Sequence, residues 1–287
     1  MQRAAKGLLE INGATLLLGF TALFPKLVNL PPQQIIFWRS AVAALALVVM
    51  LLARRRSFRL ENRRAYLMVV LLGALLGAHW ILYFHAVQIS NVAIGIVSLF
   101  TFPVITVLLE PAFNRARIDP ADVVTALAVL AGVLLMVPGL SLESSATHGV
   151  ALGVCSALLY SLRNIFQKKY LSGSDSAVTL FFQVTVAALL LLPVMPRGFG
   201  GQAAPWALQL VALGLLFTAF PHSLLLDSLR HLKAKTLGIV QSLQPAYGIA
   251  LAALLLGEYP SLRTLGGGAI ILGAALYESI KVSRPRT

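Results

Sequence analysis

The chain has 287 residues, of which 58% are hydrophobic and only 11% charged; its mean hydropathy is +0.84 and its net charge +13. Water-soluble domains carry about 25% charged residues, so this composition excludes an ordinary soluble enzyme and places the chain among polytopic membrane proteins. The basic excess does not indicate nucleic acid: Lys and Arg fall between hydrophobic runs, and no surface interleaves them with aromatic residues.

A helix needs about 20 apolar residues to cross the hydrocarbon core. Ten such segments follow one another, at 7–27, 34–53, 65–87, 91–111, 121–139, 148–168, 176–195, 205–226, 234–256 and 262–280. The first has a basic front and an apolar stretch, like a signal peptide, but Glu10 interrupts it and no small-x-small cleavage site follows. It is read as a retained helix. Glu10 is a candidate for pairing with a nearby Lys or Arg, or for carrying a proton in coupled transport. In the second segment, Arg39 of "FWRS" is expected to reach the outer interface beside Trp38.

The third segment lies in 45 residues, 65–109, that contain no Lys, Arg, Asp or Glu. Polar groups are costly there and are functional candidates, with helix-to-helix hydrogen bonding as the alternative reading. His79 and Tyr83 are four apart and share a face; Trp80 and Phe84 form a neighbouring stripe, and His85 lies round the helix near its outer end. The fourth segment offers Ser98, Thr101 and Phe102 before Pro103, and the ninth offers Gln241 and Gln244 before Pro245. A mid-span proline frees a backbone carbonyl and permits a bend, so Pro103 and Pro245 are expected gating points. The two glutamine amides both donate and accept, which suits a zwitterion. The sixth segment brings Tyr160 and Asn164 to one face, with Arg163 expected to snorkel toward the cytoplasmic end; the eighth contributes His222 after Pro221.

Basic residues set the orientation. On one side lie Arg3, Lys6, Arg54, Arg55, Arg56, Arg59, Arg63, Arg64, Arg115, Arg117, Lys168, Lys169, Arg230, Lys233, Lys235, Lys281, Arg284 and Arg286. The other side has Lys26, Arg197 and Arg263. This asymmetry places both termini in the cytoplasm, with the protein in the inner (plasma) membrane.

The two halves match. A shift of 142 lays Gly7 on Gly149, Phe24 on Phe166, Lys26 on Lys168 and Pro103 on Pro245, and a shift of 143 lays Gly95 on Gly238. Five spans per half is an odd number, so residues 143–287 enter the membrane from the side opposite to residues 1–142. The expected fold is an all-α polytopic membrane protein, ten transmembrane helices in a 5+5 inverted repeat.

The stretches "YFHAVQISNVAIGIVSLFTFPVITVLLEPAF" and "LKAKTLGIVQSLQPAYGIALAALLLGEYPS" resemble the EamA branch of the drug/metabolite transporter superfamily along essentially the whole chain. The resemblance implies ten helices, a 5+5 inverted repeat and transport of small metabolites, commonly export. Ala116 stands where a first-half copy of the "LGE" glutamate, Glu258, would be expected. Glu258 is therefore read as structural, near the end of the ninth helix.

The residues expected to bind substrate are His79, Tyr83, Ser98, Thr101, Phe102, Tyr160, Asn164, His222, Gln241 and Gln244. They suit an alternating-access exporter of small amphipathic metabolites, foremost aromatic or neutral amino acids, with a drug or a sugar- or nucleotide-like metabolite as the alternative. A channel and a membrane-embedded enzyme remain minor alternatives, although no HExxH, P-loop, GxSxG or paired intramembrane aspartates occur. No cofactor or metal is expected, since the five histidines are scattered and Cys155 is the only cysteine. The expected partners are a small-molecule substrate and the bilayer; the oligomeric state is left open, and a monomer is compatible.

Overall fold

A computed structural model describes residues 2–114, 119–137, 143–228 and 234–281. Ala116, His231, Arg115, Arg117, Arg230, Lys233, Arg284 and Arg286 lie outside the described residues, as does the chain just before the expected boundary at 142/143.

The described residues form helices: α1 (Gln2–Thr21, then Phe24–Leu27), α2 (Pro32–Ala53), α3 (Arg63–Ile89), α4 (Val92–Leu99, then Phe102–Asn114) and α5 (Pro120–Met136). They continue with α6 (Ser145–Tyr170), α7 (Ser176–Leu191), α8 (Phe199–Leu225), α9 (Ala234–Gln241, then Gln244–Leu256) and α10 (Leu262–Lys281). Eight helices among the described residues are long and apolar enough to cross a membrane, and α5 is a shorter apolar helix. α10 occupies the place of the tenth expected segment and packs along α5. Large apolar side chains turn outward, with Leu208 and Leu254 each 80% exposed, as a surface bathed in lipid requires.

Starts and breaks follow local chemistry. Asn62, Asn91, Asp119, Asp175 and Ser261 each accept a first-turn backbone N–H of the helix they precede, at 2.9–3.1 Å. α8 begins six residues before the expected 205, because Gly198, at φ 75°, turns "RGFGG" into a helical start where a loop was expected. α4 and α9 are both broken where the sequence placed a bend. Pro103 and Pro245 sit in the first turn of the second piece and bring no N–H to bridge the break. Thr101 Oγ1 donates to Ser98 O at 2.8 Å in one break, and Ser242 Oγ to Ile239 O at 2.6 Å in the other.

Helix pairing repeats when the halves are exchanged. α3 packs on α6 as α8 packs on α1; α4 packs on α6 as α9 on α1; and α3 packs on α7 as α8 on α2. α5 and α10 are counterparts that pack on each other, with Leu135 beside Gly266 and Gly132 beside Ile271, so they run antiparallel and the halves are inverted. They approach closely because both are glycine there: a methyl on Gly132 would meet Gly267 O at 2.9 Å.

One asymmetry breaks the pattern. Every side chain of Val92–Leu99 is buried, whereas the described side chains of its counterpart Ala234–Gln241, namely Thr236, Ile239, Val240 and Gln241, are half-buried. The bundle is therefore tightly closed at the end where α3 meets α4. It is looser at the opposite, basic end, which carries residues 54–64, Lys168 and Lys169.

Candidate functional site

A cavity of about 440 Å³ lies between the two halves. α1 contributes Leu18 and Thr21 to its wall; α2, Arg39; α3, Leu76, His79, Trp80 and Tyr83; and α4, Leu99, Phe100, Phe102 and Pro103. From the second half come Tyr160, Arg163, Leu180, His222, Leu225, Gln241, Ser242, Gln244 and Ala275. The wall thus collects His79, Tyr83, Phe102, Tyr160, His222, Gln241 and Gln244 from the expected set. Ser98, Thr101, Asn164, Glu10 and Pro245 are not among the lining residues. Glu10 pairs instead with Lys6 at 3.8 Å, one turn away on α1.

His79 both lines the cavity and ties α3 to α6. Its Nδ1 lies 2.7 Å from Ser156 Oγ and 3.1 Å from Ser156 O, and Ser156 Oγ donates to His79 O at 2.9 Å. A carbonyl only accepts, so Nδ1 is assigned the proton, and Nε2 of the neutral ring is left as an acceptor. The ring stacks on Tyr160 at 4.7 Å, and Tyr160 meets Phe102 edge-on at 4.9 Å. This builds an aromatic wall from α3, α6 and α4. The buried Tyr83 hydroxyl has no hydrogen-bond partner among the described residues.

Two arginines depart from expectation. Arg39 does not reach an interface: it is 3% exposed, its guanidinium lies 3.8 Å from the Trp80 ring, and Nε donates to Thr218 Oγ1 at 2.9 Å. Arg39 lies seven residues into α2, about 10 Å below the helix start. At that depth the aromatic face of Trp80 and the Thr218 hydroxyl inside the bundle hold the guanidinium. Arg163 does not snorkel outward. Nε and Nη2 donate to Gln183 Oε1 at 2.9 and 2.8 Å, and Nη1 donates to Asn164 Oδ1 at 3.1 Å. Gln183 Nε2 in turn donates to Gln167 Oε1 at 2.7 Å, so the guanidinium is held by a chain of amides between α6 and α7.

Thr218 was not singled out from the sequence. It lies in a π-helical turn, Leu215–Ala219, whose wide winding lets its hydroxyl donate to Leu213 O at 2.7 Å while accepting from Arg39. Phe217 of the same turn stacks on Phe20 at 4.8 Å and accepts from Thr21 Oγ1 at 3.2 Å, seating α8 on α1.

The tightly closed end is held by charge. Glu258 follows Gly257, whose φ of 67° turns the chain off α9, and accepts the Val92 N–H at 2.9 Å. Lys26 lies 3.7 Å from Glu258 and donates to Gln88 O and Ser90 O at 3.2 and 2.9 Å. At the basic end Lys168, the repeat counterpart of Lys26, pairs with Glu110 at 2.6 Å. An acidic partner thus exists in both halves, displaced six residues from the position at Ala116 where the repeat would put it.

A polar and aromatic cavity enclosed between two inverted helical halves in an apolar shell defines a membrane solute transporter. A sequence profile of the EamA-like transporter family matches twice, at residues 5–137 and 147–278. The chain belongs to that family, in the drug/metabolite transporter superfamily. It is 27% identical over 266 residues to an uncharacterized transporter, YxxF, of Bacillus subtilis, covering 90% of this chain and 85% of the relative. It is 24% identical over 250 residues to the pseudopaline exporter CntI of Pseudomonas aeruginosa, covering 86% of each chain. It is also 27% identical over 239 residues to the threonine/homoserine exporter RhtA of Escherichia coli, covering 81% of this chain and 77% of that one. A solved crystal structure at 20% identity superposes with a TM-score of 0.65 over 99% of both chains, the same fold.

Proposed function

We propose that the protein is a secondary carrier that exports small amphipathic metabolites of the amino-acid kind, with aromatic and neutral side chains accepted, by alternating access. The basic end and both termini face the cytoplasm, and the membrane is the inner one. The observation that carries this reading is the wall composition: the contacting rings of Phe102 and Tyr160, and Trp80 under the Arg39 guanidinium, together with Arg163 and the neutral amides of Gln241 and Gln244. Such a wall offers an apolar surface together with donors for a carboxylate and acceptors for an ammonium. A cavity of about 440 Å³ falls within the ~300–1,000 Å³ range of small-molecule sites. The relative named as a threonine/homoserine exporter supports the same solute class.

The test is uptake of a panel of labelled amino acids into proteoliposomes holding the purified chain, with and without a pH gradient. Saturable flux of at least one aromatic or neutral amino acid is expected. Absence of any amino-acid flux refutes the substrate class. Flux indifferent to the gradient removes Glu10, His79 and His222 from a coupling role.

A further inference from the structure

Among the lining residues only Arg39 and Arg163 carry a permanent charge, and both are positive. Neither guanidinium has a carboxylate within ion-pairing distance among the described residues; the acidic partners lie elsewhere, on Lys6, Lys26, Arg56 and Lys168. Arg39 is held by neutral groups, Thr218 through Nε and Trp80 through its ring, and its two terminal nitrogens meet no protein acceptor among the described residues. Arg163 makes three donations to two side-chain amide oxygens, Gln183 Oε1 and Asn164 Oδ1, which leaves N–H groups of the guanidinium uncommitted.

Holding a guanidinium away from bulk water without a counter-charge costs several kcal/mol, and breaking up such pairs is among the more damaging changes in proteins. A fold that brings two of them to one cavity, with no acidic residue among its described lining residues, leaves their neutralisation to what enters. The partnerless Tyr83 hydroxyl on the same wall adds a donor suited to an anionic oxygen. His79 Nε2, the acceptor left by the Ser156 contacts, and the amide oxygens of Gln241 and Gln244 provide for one ammonium.

We propose that the cavity favours amino-acid-type solutes of net negative charge, carrying two carboxylates: one on the Arg39 guanidinium with the Tyr83 hydroxyl, the other on Arg163. This rests on the amino-acid reading of the cavity given above and narrows it. A zwitterion satisfies one guanidinium and leaves the other unpaired. A second carboxylate pairs both.

The experiment compares labelled L-phenylalanine with N-carboxymethyl-L-phenylalanine, which adds a second carboxylate through one methylene on the amine nitrogen, in saturable flux through proteoliposomes of the purified full chain. The dicarboxylate is expected to have the higher ratio of maximal rate to half-saturation by about tenfold or more, the worth of one charge-assisted pair. In Arg163→Gln the ratio of the two solutes, both read within that variant, should fall to within about threefold of unity, and Arg163→Lys should retain part of the advantage. Arg39→Gln should weaken both solutes. Phenylalanine carried equally well or better by the unmodified protein, or an advantage unchanged in Arg163→Gln, overturns the two-carboxylate proposal and leaves the amino-acid reading standing. Absence of saturable flux for phenylalanine, its N-carboxymethyl derivative and the rest of the amino-acid panel overturns that reading itself.

Discussion

Replacing Glu258 by Gln should open the end of the bundle where α3 meets α4. Gln keeps an acceptor for the Val92 N–H but loses the charge. A hydrogen bond to a carboxylate is worth roughly 1 kcal/mol more than one to an amide. The ion pair to Lys26, at 3.7 Å and with both side chains 25% exposed, adds about 0.5–1 kcal/mol after solvent screening. The sum, about 1.5–2 kcal/mol, shifts a closed-to-open equilibrium roughly 10- to 30-fold. A cysteine at position 28, where Val28 is fully buried beside Lys26, reports that opening by its rate of maleimide labelling once Cys155 is replaced by Ser. The rate should rise by that factor in Glu258→Gln. The charge swap Lys26→Glu with Glu258→Lys should not reverse the effect, because a lysine at 258 cannot accept the Val92 N–H and a glutamate at 26 cannot donate to Gln88 O and Ser90 O. A labelling rate within twofold of the parent in Glu258→Gln would refute the idea that this carboxylate holds the end shut.

The pair at the basic end should matter less: Lys168 is 71% exposed, so Glu110→Gln is expected to change closure by about 0–1 kcal/mol, seen as less than a fivefold change in labelling near that end. Gly132→Val should push α5 from α10, lowering stability by about 1–3 kcal/mol in a detergent melting assay, whereas the open surroundings of Gly13 make Gly13→Ala nearly neutral there. Thr218→Val keeps the volume but removes the acceptor for Arg39 Nε. It should raise the half-saturating solute concentration about fivefold to tenfold, with melting temperature lowered by only a few degrees. Gln241→Ala should impair flux with little loss of folded protein. His79→Ala should cost flux and also about 1–2 kcal/mol of stability, since its Nδ1 bonds to Ser156 are lost.

The broken helices were legible because proline acts through the chain's own backbone: Pro103 and Pro245 bring no N–H to the first turn of the second pieces of α4 and α9, just after each break. His79 and Tyr83 were legible for a similar reason, since a four-residue spacing fixes a shared helix face. Arg39 was misplaced because its destination depends on α3 and α8, which supply Trp80 and Thr218, and nothing in "FWRS" announces them. Arg163 was misplaced in the same way, its partner Gln183 lying 20 residues on and one helix away. Glu110 escaped notice because the repeat was read in register. An ion pair needs its partner at the right place in space, and α4 brings Glu110, six residues before Ala116 in the sequence, to Lys168. The π-helical turn at Leu215–Ala219 has no sequence signal that separates it from ordinary α-helix, and with it the role of Thr218 stayed hidden.

The central claim is that one cavity between inverted halves is offered alternately to the two sides of the membrane. Counterflow tests it most directly: proteoliposomes loaded with unlabelled substrate amino acid are diluted into a trace of the same labelled compound. The account predicts transient accumulation of label above its equilibrium level, saturating with internal concentration, because a carrier returns loaded. Label that only equilibrates, at a rate that never saturates and is not accelerated from the other side, would contradict it and indicate a channel.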